Sequence, residues 1–131
     1  MKGILLMEKN KRKRLTKEER LAVLAKTNSH CAYCGCKLEY KDLQVDHIFP
    51  VYLGGKNEMS NYLPACRSCN KYKDTCTVEV FRKALEHMPA ALERDCTTYK
   101  IAHRFGIVQV VKPNVEFYFE KIGLEVSCNE K

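Results

Sequence analysis

Two cysteine pairs of identical spacing constrain the fold of this chain more than any other feature. Cys31 and Cys34 form the first Cys-x-x-Cys pair, and Cys66 and Cys69 form the second. Structural zinc takes four tetrahedral ligands, and a turn of this kind presents two thiolates to one side of a metal. Ordinary buried thiols do not account well for two pairs of equal spacing, so we predict that these four residues hold one structural zinc.

The alternative for a chain of 131 residues with 8 cysteines is a disulfide framework, which would require secretion. The apolar stretch at residues 3–7 is too short for a signal-peptide core, and the basic run follows it. No stretch is long and apolar enough to span a membrane. We therefore predict a reducing cytoplasm, where paired motifs favour metal. Cys36 is close enough to Cys34 to be a rival ligand, and the remaining cysteines are read as plain thiols.

The charge balance favours a polyanionic partner. Lys and Arg number 23 against 16 Asp and Glu, which gives a formal net charge of +7. DNA is the first candidate for such a chain, although a basic surface can also serve solubility alone. The densest basic run is Lys11, Arg12, Lys13 and Arg14. We predict that residues 1–15 form a flexible arm that contacts phosphates, with a solvated tail as the alternative.

Local signals predict an α+β core over residues 16–76. Thr16 and Glu19 fit a capping box, which predicts a helix from Thr16 to about Lys26. Short strands are predicted at residues 38–40 and 43–45, with a loop over 49–65 where Pro50 and two glycines interrupt regular structure. Asn70 is expected to open the next helix. The expected core is therefore two short strands, a loop and a helix, supported by the zinc site.

Residues 77–131 are predicted to form an extension of helices and a β-hairpin. A helix is expected at 77–88, ending before Pro89, and a further helix at 90–105. Gly106 occupies the position of a left-handed C-terminal cap. Alternating apolar residues at 107–111 and 115–119 predict the two strands of the hairpin.

About a third of the chain, residues 30–73, resembles the HNH nucleases, also called ββα-metal nucleases. The matching residues are Cys31-x-x-Cys34, Asp46-His47-Ile48-x-Pro50, Gly54-Gly55, Asn61-x-Leu63 and Cys66-x-x-Cys69-Asn70-x-x-Lys73. Each part alone is weak, but the combination is specific. The resemblance implies a small ββα-metal core on a four-cysteine zinc site and an endonuclease that hydrolyses phosphodiester bonds in DNA.

The resemblance and the chemistry together assign roles to the residues between and after the cysteine pairs. An imidazole with an ordinary pKa of about 6.5 can accept a proton from water, which suits His47 as general base. Asp46 and Asn70 offer oxygen ligands to a catalytic Mg²⁺ or Mn²⁺, with Ni²⁺ as an alternative. Adjacent strand residues point to opposite faces, so we expect a local bend at Asp46 and His47. Asn61 resembles a scaffold residue, with an ordinary turn residue as the alternative.

Three basic residues beside the second cysteine pair complete the predicted site. Lys71 and Lys73 begin the helix near the metal and are candidates, with Arg67, for contact with a flanking phosphate; solvated surface is the alternative. The leading hypothesis is a metal-dependent DNA endonuclease from a phage or mobile element. A non-catalytic zinc-knuckle module that binds nucleic acid is the alternative, and a basic protein-interaction domain with a zinc staple is the third hypothesis.

Overall fold

The computed structural model of the chain describes residues 12–111 and 114–126. Contacts divide these residues into two units, the first made of 12–78 and 116–126 and the second of Glu79–Val115. None of the helices in the described ranges has the length and apolar character needed to cross a bilayer. Lys11 lies outside the described residues, and the domain boundaries given above stay a prediction.

An antiparallel pair of strands forms the centre of the first unit. Strand β1, Gln44–His47, pairs with strand β2, Tyr62–Ala65, in a register that places His47 opposite Tyr62. All four residues of β2 are buried. The sequence-based prediction of a strand at 38–40 and a loop through 65 was wrong. Pro64 concealed β2 in the sequence, yet the missing N–H of a proline is tolerated on the edge of a two-stranded sheet.

Two helices pack on this sheet, one against each strand. Helix α1, Lys17–Ala25, contacts β2, and the capping box between Thr16 and Glu19 is confirmed. Helix α2, Arg67–Lys73, contacts β1. Cys66 caps α2 by accepting the N–H of Cys69 at 3.4 Å, so Asn70 lies inside the helix and does not open it, which corrects the sequence-based prediction.

Three further helices follow along the chain: α3 Val78–Glu86, α4 Met88–Asp95 and α5 Thr97–Arg104. Helices α4 and α5 pack together within the second unit. The predicted single helix at 90–105 was wrong, because Cys96 is extended at φ −115° and ψ 104°. Pro89 lies in the first turn of α4, where its missing N–H is not needed. The left-handed conformation of Gly106, at φ 71°, is confirmed.

The predicted β-hairpin is absent from the described residues of 107–119, and helix α6, Tyr118–Lys121, begins inside its second strand. The backbone of Val115 is already used, since its N–H donates to Glu86 Oε2 at 3.3 Å and its carbonyl accepts from Arg82 Nη1 at 2.7 Å. The side chains of Glu86 and Arg82 thus provide the hydrogen bonds to the backbone of Val115 that a partner strand would provide in a hairpin.

The segment at Phe117–Phe119 covers the first cysteine turn within the first unit. The backbone N–H groups of Tyr118 and Phe119 donate to the carbonyls of Tyr33 and Ala32 at 3.0 and 2.8 Å. The rings of Phe117 and Phe119 meet the Tyr33 ring edge-on, with centroids 5.2 and 6.2 Å away. The fold is therefore an α+β core of helices and a two-stranded antiparallel sheet over a four-cysteine cluster, as predicted.

Candidate active site and metal centre

The four paired cysteines converge on one point. The sulfurs of Cys31, Cys34, Cys66 and Cys69 all lie within 4.8 Å of one another, and the Cys34 and Cys66 sulfurs are 3.8 Å apart. A tetrahedral zinc with Zn–S bonds of about 2.3 Å has sulfur–sulfur edges of about 3.8 Å. A hydrogen bond from the Cys69 thiol lowers the pKa of Cys31 to about 4, which favours a thiolate there. The donor set fits zinc, and Cys36 is exposed and outside this group.

The local fold of the first pair explains how its sulfurs reach the cluster. The Gly35 N–H donates to the Cys31 carbonyl at 3.0 Å, and the Cys31 N–H donates to the Cys36 carbonyl at 2.8 Å. Gly35 is left-handed at φ 79°, and a Cβ on it would lie 2.8 Å from the Tyr118 ring. Glycine is therefore required at this turn both by its backbone conformation and by the approach of Tyr118.

Asp46 lies in a buried charged network. Its carboxylate is 3% exposed, accepts the Tyr33 hydroxyl at Oδ2, and lies 3.1 and 3.3 Å from Lys73 Nζ through its two oxygens. Lys73 Nζ also donates to the His47 carbonyl at 3.0 Å. Burial raises the pKa of Asp46, whereas the Lys73 ammonium and the Tyr33 hydroxyl oppose that rise. This network ties α2 to β1.

Lys73 was predicted to hold a flanking phosphate, and that prediction was wrong. Its side chain is fully buried, and its ammonium is bonded to Asp46 and His47, so it is not available to a strand on the surface. Lys73 follows Cys69 by four residues on α2, which places it on the same helical face as a zinc ligand.

His47 is buried, at 7% exposure, and its ring has one hydrogen bond to a side chain among the described residues. Its Nε2 lies 2.9 Å from Asn57 Oδ1, and an amide oxygen only accepts, so Nε2 carries the ring proton. The lone pair is then at Nδ1, which has no hydrogen-bond partner among the described residues. Burial lowers the pKa of His47, and the nearby Arg12 charge lowers it further. The arrangement favours a neutral imidazole with a free lone pair.

Asp46 and His47 face different partners from adjacent positions of β1. The strand pairing continues through both residues, so the predicted bend was wrong. Asp46 contacts Tyr33 and Lys73, whereas the His47 ring packs edge-on against Tyr62 with centroids 5.1 Å apart. The ordinary alternation of a strand therefore separates the carboxylate from the imidazole.

Asn61 holds the loop that carries the histidine's partner. Its Oδ1 accepts the Phe49 N–H at 2.8 Å, and its Nδ2 donates to the carbonyls of Phe49 and Lys56 at 3.0 and 2.9 Å. Gly55 is needed in this loop, because a Cβ there would lie 1.8 Å from the Phe49 oxygen. Asn57 lies two residues after Gly55 and contacts His47. Sequence reasoning missed Asn57, since an asparagine after two glycines is typical of a plain turn.

A basic groove lies beside His47. It has a volume of about 490 Å³, and its basic lining residues are Arg12, Lys13, Arg14, Lys17 and Arg20. His47 and Tyr62 also line it, together with Tyr40, whose ring lies 5.4 Å from the Arg20 guanidinium. The Lys13 N–H donates to Asn57 Oδ1 at 3.4 Å. The structure thus brings the described part of the predicted basic arm together with His47, while Arg67 and Lys71 are exposed on α2 and do not line this groove.

Asn70 and Asp46 are the predicted oxygen ligands of a hard divalent cation. Asn70 is half-buried on α2 and precedes Lys73 by one turn, so it shares the helix face that meets β1. A carboxylate has about four lone-pair sites. Lys73 and Tyr33 use three of those on Asp46, which leaves one on Oδ1. The Asp46 carboxylate therefore retains one lone-pair site for an oxygen bond to such an ion.

The segment that contains the cysteine cluster and His47 is similar to known proteins. Residues 31–86 match a family model described as HNH endonuclease. The chain is 38% identical over 60 residues to the Septu protein PtuB of Bacillus thuringiensis, covering 43% of this chain and 23% of that protein. It is 32% identical over 57 residues to the CRISPR-associated endonuclease Cas9 of Corynebacterium diphtheriae, covering 43% of this chain and 5% of that protein.

Among solved structures, the crystal structure of the Type II-C Cas9 enzyme from Actinomyces naeslundii is similar with a TM-score of 0.46 and 24% identity. That match covers 63% of this chain and 9% of the enzyme. The chain thus spans less than a quarter of the length of each of these relatives.

Proposed function

We propose, because residues 31–86 match a family model described as HNH endonuclease, that this chain is a metal-dependent endonuclease that hydrolyses phosphodiester bonds in DNA. The observation that carries the proposal is the position of His47, whose buried Nδ1 has no hydrogen-bond partner among the described residues, in the wall of a basic groove. A proton acceptor beside several cations is what hydrolysis of a polyanion requires.

His47 is the general base of the proposed reaction. Nδ1 takes a proton from a water molecule, the water oxygen bonds to phosphorus, and the bond from phosphorus to the 3′-oxygen breaks. The departing 3′-oxygen keeps the electron pair of that bond and takes a proton from solvent, which leaves a 3′-hydroxyl. Asn57 keeps the ring proton on Nε2, so that the lone pair stays on Nδ1. The low pKa of His47, which burial causes, keeps the ring neutral near pH 7.

Asp46 and Asn70 are the proposed ligands of the catalytic ion, Mg²⁺ or Mn²⁺ with Ni²⁺ as the alternative. When bound there, the ion would stabilise the negative charge that develops on the phosphate. Lys73 keeps the buried Asp46 carboxylate ionised and ready to act as a ligand.

Asn61 acts as a scaffold that fixes the loop in front of His47. Arg12, Lys13 and Arg14 hold the DNA backbone, and Arg67 and Lys71 remain proposed flanking contacts.

The zinc site is proposed to be structural, with Cys31, Cys34, Cys66 and Cys69 as its ligands. Thiolate ligands of this kind persist in a reducing compartment, which supports the proposed cytoplasmic location. Setting the chain in a phage or a mobile element stays a prediction from its basic character.

The second candidate function is a zinc-knuckle module that binds nucleic acid without cleaving it. The basic groove alone would suit that role. A binding module, however, does not need a buried imidazole whose Nδ1 has no partner among the described residues, in the wall of the groove. That combination favours the nuclease.

Plasmid cleavage by the purified chain tests the proposal. Supercoiled DNA is incubated with Mg²⁺, Mn²⁺ or Ni²⁺, or with EDTA, and the Asn70→Ala variant is run beside the wild type. We expect nicking or linearisation that requires an added metal and falls at least about tenfold in the variant, because one metal ligand is lost. Salt-sensitive binding without cleavage under any metal would instead support the binding module.

A further inference from the structure

Tyr62 is a buried tyrosine whose hydroxyl has no hydrogen-bond partner among the described residues. The residue is 2% exposed and lies on β2, directly opposite His47 in the register. Buried hydroxyl groups in proteins are nearly always hydrogen-bonded, because leaving one unpaired costs the free energy of its lost contact with water. An unpaired hydroxyl at this position therefore calls for a ligand.

The surroundings of Tyr62 indicate which ligand that is. Tyr62 lines the basic groove together with Arg12, Arg14 and His47. Burial raises the pKa of Tyr62, and the charges of Glu19 and Glu58 raise it further, so the hydroxyl keeps its proton and can donate it. A groove with several fixed cations and one unpaired donor is suited to an anionic group with strong acceptor oxygens.

We propose that the Tyr62 hydroxyl donates a hydrogen bond to a non-bridging phosphate oxygen of the DNA strand that lies in the basic groove. The inference rests on the proposed function for its substrate class, and it adds a contact that no spacing in the sequence indicated. Because Tyr62 stands opposite His47, the phosphate that it contacts lies at or next to the bond that is cut. Arg12 and Arg14, which line the same groove, neutralise the charge of that strand.

Removal of the single hydroxyl tests this proposal. Tyr62→Phe keeps the ring that packs on His47, and Tyr72→Phe is the matched control, since Tyr72 is 62% exposed on α2. Binding to a fluorescent DNA duplex is measured by anisotropy in buffer without added divalent metal, and thermal unfolding is recorded in parallel. We expect Tyr62→Phe to raise the Kd about tenfold, as for the loss of one hydrogen bond to a charged acceptor.

The thermal measurement separates a ligand contact from an internal one. Because the hydroxyl is unpaired in the free protein, Tyr62→Phe should not lower the unfolding midpoint, and Tyr72→Phe should leave both quantities unchanged. An unchanged Kd in Tyr62→Phe overturns the proposal. A raised Kd together with a lowered midpoint also overturns it, because that result would reveal an internal partner for the hydroxyl.

A second measurement changes the DNA instead of the protein. Neutral methylphosphonate groups are placed one at a time along the duplex. The wild type should lose affinity about tenfold at the contacted phosphate, and Tyr62→Phe should show no further loss at that position. Equal losses in both proteins at every position would overturn the proposal. Since neither experiment requires cleavage, an inactive wild type that still binds DNA would refute the proposed nuclease without deciding the role of Tyr62.

Discussion

Lys73 is a fully buried lysine whose charge is balanced by one carboxylate, Asp46. Removing one partner of a buried ion pair leaves the other charge uncompensated, which typically destabilises a protein by about 3–5 kcal/mol. We therefore expect Lys73→Met to lower the free energy of unfolding by about that amount in a chemical denaturation experiment.

Lys71→Met on the same helix is the control for Lys73→Met, since Lys71 is exposed. Surface substitutions of this kind change stability by about 0.5 kcal/mol or less. If the two variants were equally stable, the ion pair between Lys73 and Asp46 would not be the element that ties α2 to β1.

The environment of His47 sets the pH dependence of cleavage. Burial lowers the pKa of His47, and the neutral ring is the active form, so activity should rise with pH and reach its plateau from the acid side. We expect the acid limb of kcat/KM to have its midpoint below the ordinary histidine value of about 6.5. A midpoint above that value would contradict the geometry described here.

A substitution at Asn57 should change the midpoint of the acid limb of the pH–rate profile. Asn57→Asp places a carboxylate beside the Nε2–H of His47, which stabilises the protonated ring and raises the pKa of His47. The acid limb of the pH–rate profile should therefore shift to higher pH in this variant. A limb that stays in place would show that Asn57 does not contact the reacting histidine in solution.

The two cysteine turns and helix α2 depend on one metal. Cys66 is both a proposed zinc ligand and the N-cap of α2. Serine is a good N-cap but a poor zinc ligand, so Cys66→Ser isolates the loss of the metal bond. We expect Cys66→Ser to weaken zinc binding by more than about a hundredfold and to lower the unfolding midpoint clearly.

Cys36→Ser is the matched control at the cluster. Cys36 is exposed and lies outside the group of four sulfurs, so this variant should retain one zinc per chain by elemental analysis. Loss of zinc in Cys36→Ser with retention in Cys66→Ser would reverse the ligand assignment.

The elements that sequence predicted well are those fixed by local chemistry. The capping box of Thr16 and the turn at Gly106 depend on neighbours within a few residues, and both are present. The partner of β1 depends on a distant segment, and Pro64 concealed it. The hairpin failed for the same reason, since Arg82 and Glu86 bind the backbone of Val115 from far along the chain.

The candidate site also contains some features that the sequence predicted and others that only the folded structure shows. The spacing of the cysteines was enough to predict their convergence, whereas His47 as the base stays a proposal that began from the dipeptide Asp46-His47. Burial of Lys73 and the contact of Asn57 with His47 arise only when α2 and the loop pack on β1. Such contacts depend on tertiary packing, which local patterns do not encode.

The net charge of +7 bears on how the whole molecule meets DNA. Each phosphate contact that is lost reduces the slope of log K against log salt by about 0.9. Replacing Arg12, Lys13 and Arg14 together by glutamine should therefore reduce that slope by up to about 3, as measured by DNA binding at several salt concentrations. An unchanged slope would exclude the basic groove as the DNA-binding surface.

Cleavage by His47→Ala tests the central claim most directly. Plasmid cleavage is measured in the presence of Mg²⁺ or Mn²⁺ for the wild type, for His47→Ala and for His87→Ala, whose histidine is exposed on the surface. Zinc content and DNA affinity are measured on the same samples. We predict that His47→Ala loses at least about a hundredfold in cleavage rate while it retains zinc and DNA binding, and that His87→Ala behaves as the wild type. Undiminished cleavage by His47→Ala would contradict the assignment of the general base, and with it the active site described here.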